Sequence, residues 1–266
     1  MTIAVIGLGD IGLACALRLH ETGGAAIGVD VSDDRRAAWQ RATGQEAAAG
    51  LRGLVLDHAL ICVRTTSQAR EVLTELPGCG GETGLAAYVL TTLEPAFARG
   101  LAGYGSDRVR VIELPVSGGR AAARTGELTV LVGGDQAADG DVDFVLRTLA
   151  RRTFSFPRFG DATLAKLLNN TAAAYNASAF ATCLALAEQA GLPADVCAEV
   201  IRASSGGSWV ADSFEGLIGE LLAKDAGLLA AELGRLPAIE LSDPGQMLAA
   251  LAHGIRLLAR PSGRDD

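Results

Sequence analysis

The chain has 266 residues, of which 49% are hydrophobic and 20% charged, a balance that builds a packed core and excludes a disordered chain. Acidic residues outnumber basic ones 31 to 23, giving a formal net charge of −8. With no basic run in the sequence, that balance argues against nucleic acid or an anionic membrane as a partner, though it does not bear on a small anionic substrate held in a local pocket.

In chain order, Thr2 to Ile6 is a short apolar run that breaks into Gly7-Leu-Gly9-Asp-Ile-Gly12 and continues with helical spacing to Leu19. Ala25 to Asp30 is a second strand, and Ser32 or Asp33 is placed to cap the helix that follows. Ala59 to Val63 and Ala87 to Leu90 are further strands, each followed by a helical pattern, and Val109 to Leu114 is another that ends at Pro115. Strands alternating with helices predict a parallel sheet. Leu128 to Val132 and a run near Phe154 read as late strands, joined by a helix over 137–150.

From Asp161 onward no strand pattern remains. A long helix starts there, Pro193 stands near the start of another, and Ser204-Ser-Gly-Gly-Ser208 is a loop. Helical patterns resume from Phe214 to about Arg260, with a break around Pro237 to Pro244. The boundary therefore falls near residue 160, between an α/β part (1–160) and an all-helical part (161–266). The cysteines, Cys15, Cys62, Cys79, Cys183 and Cys197, show no paired spacing. Cys15, Cys62 and Cys183 lie in apolar patterns and read as small buried hydrophobes, which fits a reducing compartment. The glycine motif begins at Gly7, too early for a signal peptide ahead of it, and no clean run of 18 apolar residues occurs. The expectation is a soluble cytoplasmic protein with no membrane partner.

Gly7, Gly9 and Gly12, with Asp10 and Ile11 between the last two, form Gly-x-Gly-x-x-Gly between a strand and a helix. The first glycine permits a tight turn, the second lets backbone approach a pyrophosphate, and the third lets helix and strand pack closely. Asp30 ends the second strand 18 residues after Gly12, near the spacing of a ribose ligand. The plain alternative is a ligand-free turn and a capping acid; the four features in series favour a dinucleotide. A carboxylate at the ribose repels a 2′-phosphate, so NAD is favoured, with NADP not excluded. Arg35 and Arg36 would soften that repulsion, but they lie in the next helix and are expected to face solvent.

Ser117-Gly118-Gly119 follows strand and proline, where successive backbone N–H groups converge on an anion. Arg120 beside it suits a carboxylate clamp. An ordinary loop and a solvated arginine remain the plain alternatives. Lys166 and Asn170, four residues apart on the long helix, share one face. Lys166 flanks Leu164, Leu167 and Leu168 and so reads as held; a partly buried lysine has a depressed pKa and moves protons near neutral pH. Most helix lysines are solvated, and that reading stands beside it. His20, His58 and His253 are scattered, and no nucleophilic triad or metal-ligand spacing occurs.

In series these motifs resemble the β-hydroxyacid dehydrogenase family. The match runs from Gly7-x-Gly9-x-x-Gly12 through Thr91-Thr92-x-x-Pro95 and Leu114-Pro-Val-Ser-Gly-Gly119 to Gly160, Lys166-x-x-x-Asn170 and Lys224-Asp225. The resemblance implies a Rossmann-type doubly wound sheet, then an all-α domain joined to it by a long interdomain helix. It implies Lys166 as general acid/base, Asn170 orienting the substrate, and Ser117, Gly118 and Gly119 holding its carboxylate. Thr92 would lie near the nicotinamide, Lys224 would reach the same site, and the helical domain would form a homodimer. Departures from the family pattern are Ala162 and Ala122 in place of glycines, Glu127 for a threonine, Arg64 for a proline and a short C-terminus.

The expected function is hydride transfer between NAD and a small anionic β-hydroxy acid or its semialdehyde or keto form. An imine reductase-like enzyme on the same scaffold and a non-catalytic NAD-binding regulator are the alternatives; the former class generally lacks the lysine.

Overall fold

The computed structural model describes residues 2–23, 25–81, 84–134, 140–236 and 244–259. Its first part is a run of strand–helix units: β1 (Thr2–Ile6), α1 (Asp10–Glu21), β2 (Ala25–Val29), α2 (Asp33–Thr43), β3 (His58–Ile61), α3 (Thr66–Glu75), β4 (Leu85–Val89), α4 (Pro95–Arg99) and β5 (Val109–Glu113). The five strands lie parallel in the order β2-β1-β3-β4-β5. Alternate residues of each strand feed two cores. Ile3, Val5, Leu60, Tyr88 and Ile112 pack with Leu19 of α1, whereas Ala4, Ile6, Ile61, Val89 and Val111 pack with Leu73 of α3. Strands apolar on both faces are what a parallel sheet sandwiched between helix layers requires, and the expected Rossmann-type, doubly wound fold is present.

Beyond Pro115 come β6 (Val116–Ser117), α5 (Gly119–Thr125), β7 (Leu128–Gly133), α6 (Gly140–Leu149) and β8 (Ala150–Phe156). β7 pairs antiparallel with β5 and β6 and parallel with β8, so the sheet turns mixed at this edge. The start of the helix expected over 137–150 lies outside the described residues, as does most of the break expected around Pro237 to Pro244.

The remainder is helical: α7 (Asp161–Gln189), α8 (Ala194–Ala203), α9 (Trp209–Asp212), α10 (Gly219–Leu233) and α11 (Pro244–Ala259). Its own core is small. Phe180, Ala198 and Ala211 are buried together, with Phe180 edge-on to Phe214 at 5.0 Å. Leu186, Leu192, Val196, Val200, Leu248, Leu251 and Ile255 are exposed. Cys183, expected to be buried, is exposed as well, because this half of α7 has no sheet to lie on. Among the described residues, no helix is long and apolar enough to cross a membrane.

Candidate active site

The glycine loop joins β1 to α1 at the C-terminal edge of the sheet. Gly7 has φ +94°, and a Cβ there would stand 2.6 Å from the Cys62 carbonyl oxygen. A Cβ on Gly12 would stand 1.8 Å from the Gly7 oxygen. Both positions are glycine because the fold leaves no room. Gly9 is different: the nearest atoms a Cβ would meet are those of the Arg35 guanidinium, at 3.9 Å. Nothing in the packing excludes a side chain at Gly9, and the open space lies at the N-terminus of α1, where no side chain caps the free N–H groups. These residues fit a dinucleotide pyrophosphate. Asp10 is exposed and Ile11 half-buried on the same turn.

Asp30, just past β2, is buried, and both its oxygens are engaged: Oδ2 accepts from the Leu8 N–H at 2.7 Å and Oδ1 from the Ser32 N–H at 2.9 Å. Ser32 therefore meets Asp30 through its backbone, and its side chain makes no cap on α2. Arg35 faces solvent, with Nη1 3.5 Å from Asp30 Oδ2. Arg36 does not: it donates to the Asp30 carbonyl at 2.8 Å and pairs with Asp33. Val31, directly after Asp30, is 86% exposed, an apolar surface beside the buried acid.

A second cluster is assembled from distant segments. Glu113, at the end of β5, is fully buried. Its Oε2 accepts from the Gly160 N–H and its Oε1 from the Thr163 N–H, both at 2.7 Å. Gly133 makes room for it, since a Cβ there would stand 2.1 Å from Glu113 Oε2. Burial pushes the Glu113 carboxyl up, against the pull of those donors. The first turn of α7 is thus fastened to the sheet, and Lys166 follows three residues after Thr163.

Lys166 is only 7% exposed. Its ammonium is pushed down to about 8, mainly by burial; Asp225 opposes the shift and Lys224 adds to it. Asn170 Nδ2 donates to Asp225 Oδ2 at 2.5 Å, and Lys224 Nζ lies 3.2 Å from Asp225 Oδ1. Asn169 bridges Asn170 Oδ1, at 3.1 Å, and Ser117 Oγ, at 3.4 Å. Ser117, Lys166, Asn170 and Lys224 are therefore gathered around Asp225 and Asn169. Gly118 and Gly119 both have positive φ, +130° and +71°, and Arg120 is exposed on the first turn of α5. Thr92 is half-buried; its neighbour Thr91 ties the loop after β4 to the carbonyls of Ile61 and Val63. Among the described residues, no group of His, Cys, Asp or Glu is arranged to hold a metal.

Residues 2–157 match the family described as the NAD binding domain of 6-phosphogluconate dehydrogenase. Residues 160–235 match that described as NAD-binding of NADP-dependent 3-hydroxyisobutyrate dehydrogenase. The chain belongs to the β-hydroxyacid dehydrogenase family. It is 30% identical over 219 residues to an L-threonate dehydrogenase of Escherichia coli, covering 78% of this chain and 71% of that one. Against the NAD-dependent L-serine dehydrogenase of Pseudomonas aeruginosa it is 29% identical over 250 residues, covering 85% and 83%. The crystal structure of a 3-hydroxyisobutyrate dehydrogenase from Salmonella typhimurium superposes with a TM-score of 0.79 at 26% identity, covering 96% of this chain and 95% of that one. This β-hydroxyacid dehydrogenase is an NAD(P)-dependent oxidoreductase acting on the CH–OH group of small hydroxy acids.

Proposed function

We propose that the protein interconverts a small β-hydroxy acid and its semialdehyde or keto form, with Lys166 as general acid/base. The observation that carries this is a lysine 7% exposed, with its pKa pushed down to about 8, gathered with Ser117, Asn170 and Asp225 at one site. A nicotinamide dinucleotide bound by Gly7, Gly9, Asp10, Ile11, Gly12 and Asp30 supplies the hydride acceptor or donor. In oxidation Lys166, as the neutral amine, takes the substrate hydroxyl proton; in reduction the ammonium returns it. Asn170, braced on Asp225, orients the reacting oxygen. Ser117 Oγ and the N–H groups of Gly118 and Gly119 hold the carboxylate, with Arg120 adding charge at the rim. Thr92 and Lys224 border the nicotinamide side. The relatives' substrates, threonate, serine and 3-hydroxyisobutyrate, all join a carboxylate to a hydroxyl-bearing carbon chain, which is the class this site suits.

Residues 1–160 then form the dinucleotide domain and 161–266 the helical domain. The exposed leucines and valines of the helical part favour a homodimer through that part, because one chain's own core leaves them uncovered. Five free cysteines suit a reducing cytoplasm.

Turnover of a panel of hydroxy acids, followed by NAD(P)H absorbance, tests the reading. Lys166→Ala is expected to cut kcat by roughly 10²–10⁴-fold, the usual share of a general base, with NADH binding kept. Full kcat in that variant sinks the assignment, and sedimentation as a monomer sinks the dimer.

A further inference from the structure

We infer that Glu113 is a positioning residue for the proton transfer: its buried carboxylate sets the start of α7, and thereby where the Lys166 amine meets a substrate held by the 117–119 loop. The inference rests on the reading of Lys166 as general acid/base given above. A helix leaves its first N–H groups without partners, and a side chain at the cap position ordinarily takes one of them. α7 has no such side chain, because Gly160 stands at its cap position with φ +90°. The acceptor comes instead from the sheet, 47 and 50 residues away: Glu113 takes the Gly160 and Thr163 N–H groups, both at 2.7 Å. Where α7 begins, and how it is turned about its axis, is therefore decided by the end of β5.

The same short segment meets α7 a second time. Just beyond Glu113, Ser117 Oγ accepts from Asn169 Nδ2 at 3.4 Å. Thr163 and Asn169 lie one turn before and one turn after Lys166, so the two contacts bracket the amine. The segment between them is itself held. The Leu114 N–H donates to the Val89 carbonyl at 2.9 Å, the Pro115 carbonyl accepts from the Leu131 N–H at 3.0 Å, and Val116 and Ser117 pair with Val130 and Thr129 of β7. Glu113 and Thr163 are both fully buried, so solvent does not reach the stronger contact. A buried carboxylate is costly as a packing element alone. What it provides here is two short, charge-assisted bonds to one turn of helix, which fix direction more narrowly than apolar contact does.

Two variants loosen the contact in different ways. Glu113→Gln keeps the shape and removes the charge, leaving an amide N–H against a backbone N–H. Gly133→Ala keeps the charge and brings a Cβ to 2.1 Å from Glu113 Oε2. Each is expected to lower kcat for hydroxy-acid oxidation by roughly 10–100-fold, the cost of displacing a reacting group by about 1 Å. KM and NADH binding should stay within about threefold of wild type. The charges that act on Lys166 are Asp225 and Lys224 of α10, and the one that acts on Glu113 is Asp161. Water admitted at the amine should also move the midpoint of the rise in kcat with pH upward in both variants. Should Glu113→Gln fail to fold, Gly133→Ala is read in its place. Full kcat in either folded variant overturns the inference, as does a loss confined to KM or to NADH binding. A midpoint that moves down in Glu113→Gln and stays put in Gly133→Ala shows a carboxylate acting by charge and not by position, and overturns it too. Full kcat in Lys166→Ala overturns the reading of the lysine itself, and this inference with it.

Discussion

The glycine cradle and the surroundings of Lys166 are two regions of the molecule with opposite construction. The cradle is made from one contiguous stretch, residues 2–36, and works through missing side chains and free backbone donors. Its one buried charge, Asp30, is met by two N–H groups and an arginine. The lysine's surroundings are drawn from β5, β6, α7 and α10, and they work by keeping a cation out of water. One region gives up side-chain volume to gain access, while the other gives up stability to hold a lysine out of water.

The contrast is broken most sharply at the glycines. Gly12→Ala drives a Cβ into the Gly7 carbonyl and is expected to destabilise the fold by about 3 kcal/mol or more, roughly 10 °C in Tm. Gly9→Ala has space and should leave Tm nearly unchanged while weakening dinucleotide binding. Equal losses of Tm in the two variants would show that the cradle is built by packing alone.

At the lysine the expected effect runs the other way. Its pKa is about 8 in the fold against 10.5 for the ordinary side chain. The unfolded chain thus binds that proton more tightly, and the native state is penalised below pH 8. The penalty is relieved as pH rises from 8 towards 10.5. Lys166→Met should therefore raise stability at pH 7 by up to about 3 kcal/mol and remove that rise with pH in denaturant titrations. A variant less stable than wild type at pH 7 contradicts the account.

The smallest shift tests the neighbour. Asp225 favours the ammonium form of Lys166, so Asp225→Asn should lower the lysine's pKa further. The midpoint of the rise in oxidative kcat with pH should then move down by about one unit. A midpoint that moves up refutes the pairing.

The same division decides what could be read without coordinates. Strands, glycines and Asp30 were legible because each depends on residues close in sequence: alternation within five residues, a turn within six. Lys166 was legible as held, through its leucines and its four-residue spacing to Asn170. Glu113 was not, since its donors lie 47 and 50 residues away and the sequence shows only an acid ending a strand. Arg35 does face solvent, with only a long contact to Asp30, but Arg36 was misplaced there because helical spacing records a side chain's face and not its reach back to the preceding strand. Cys183 was misread because an apolar stretch looks the same whether or not a sheet covers it.

The grip of Glu113 on the start of α7 turns that helix into a lever with its pivot inside the sheet. At 1.5 Å per residue, Lys166 stands about 4.5 Å from the pivot at Thr163, and the far end at Gln189 about 39 Å. A tilt that swings the distal helices by several ångströms moves the lysine by only a fraction of one. A tilt of the far half of α7 therefore leaves the buried, sheet-fastened start of the helix nearly where it was.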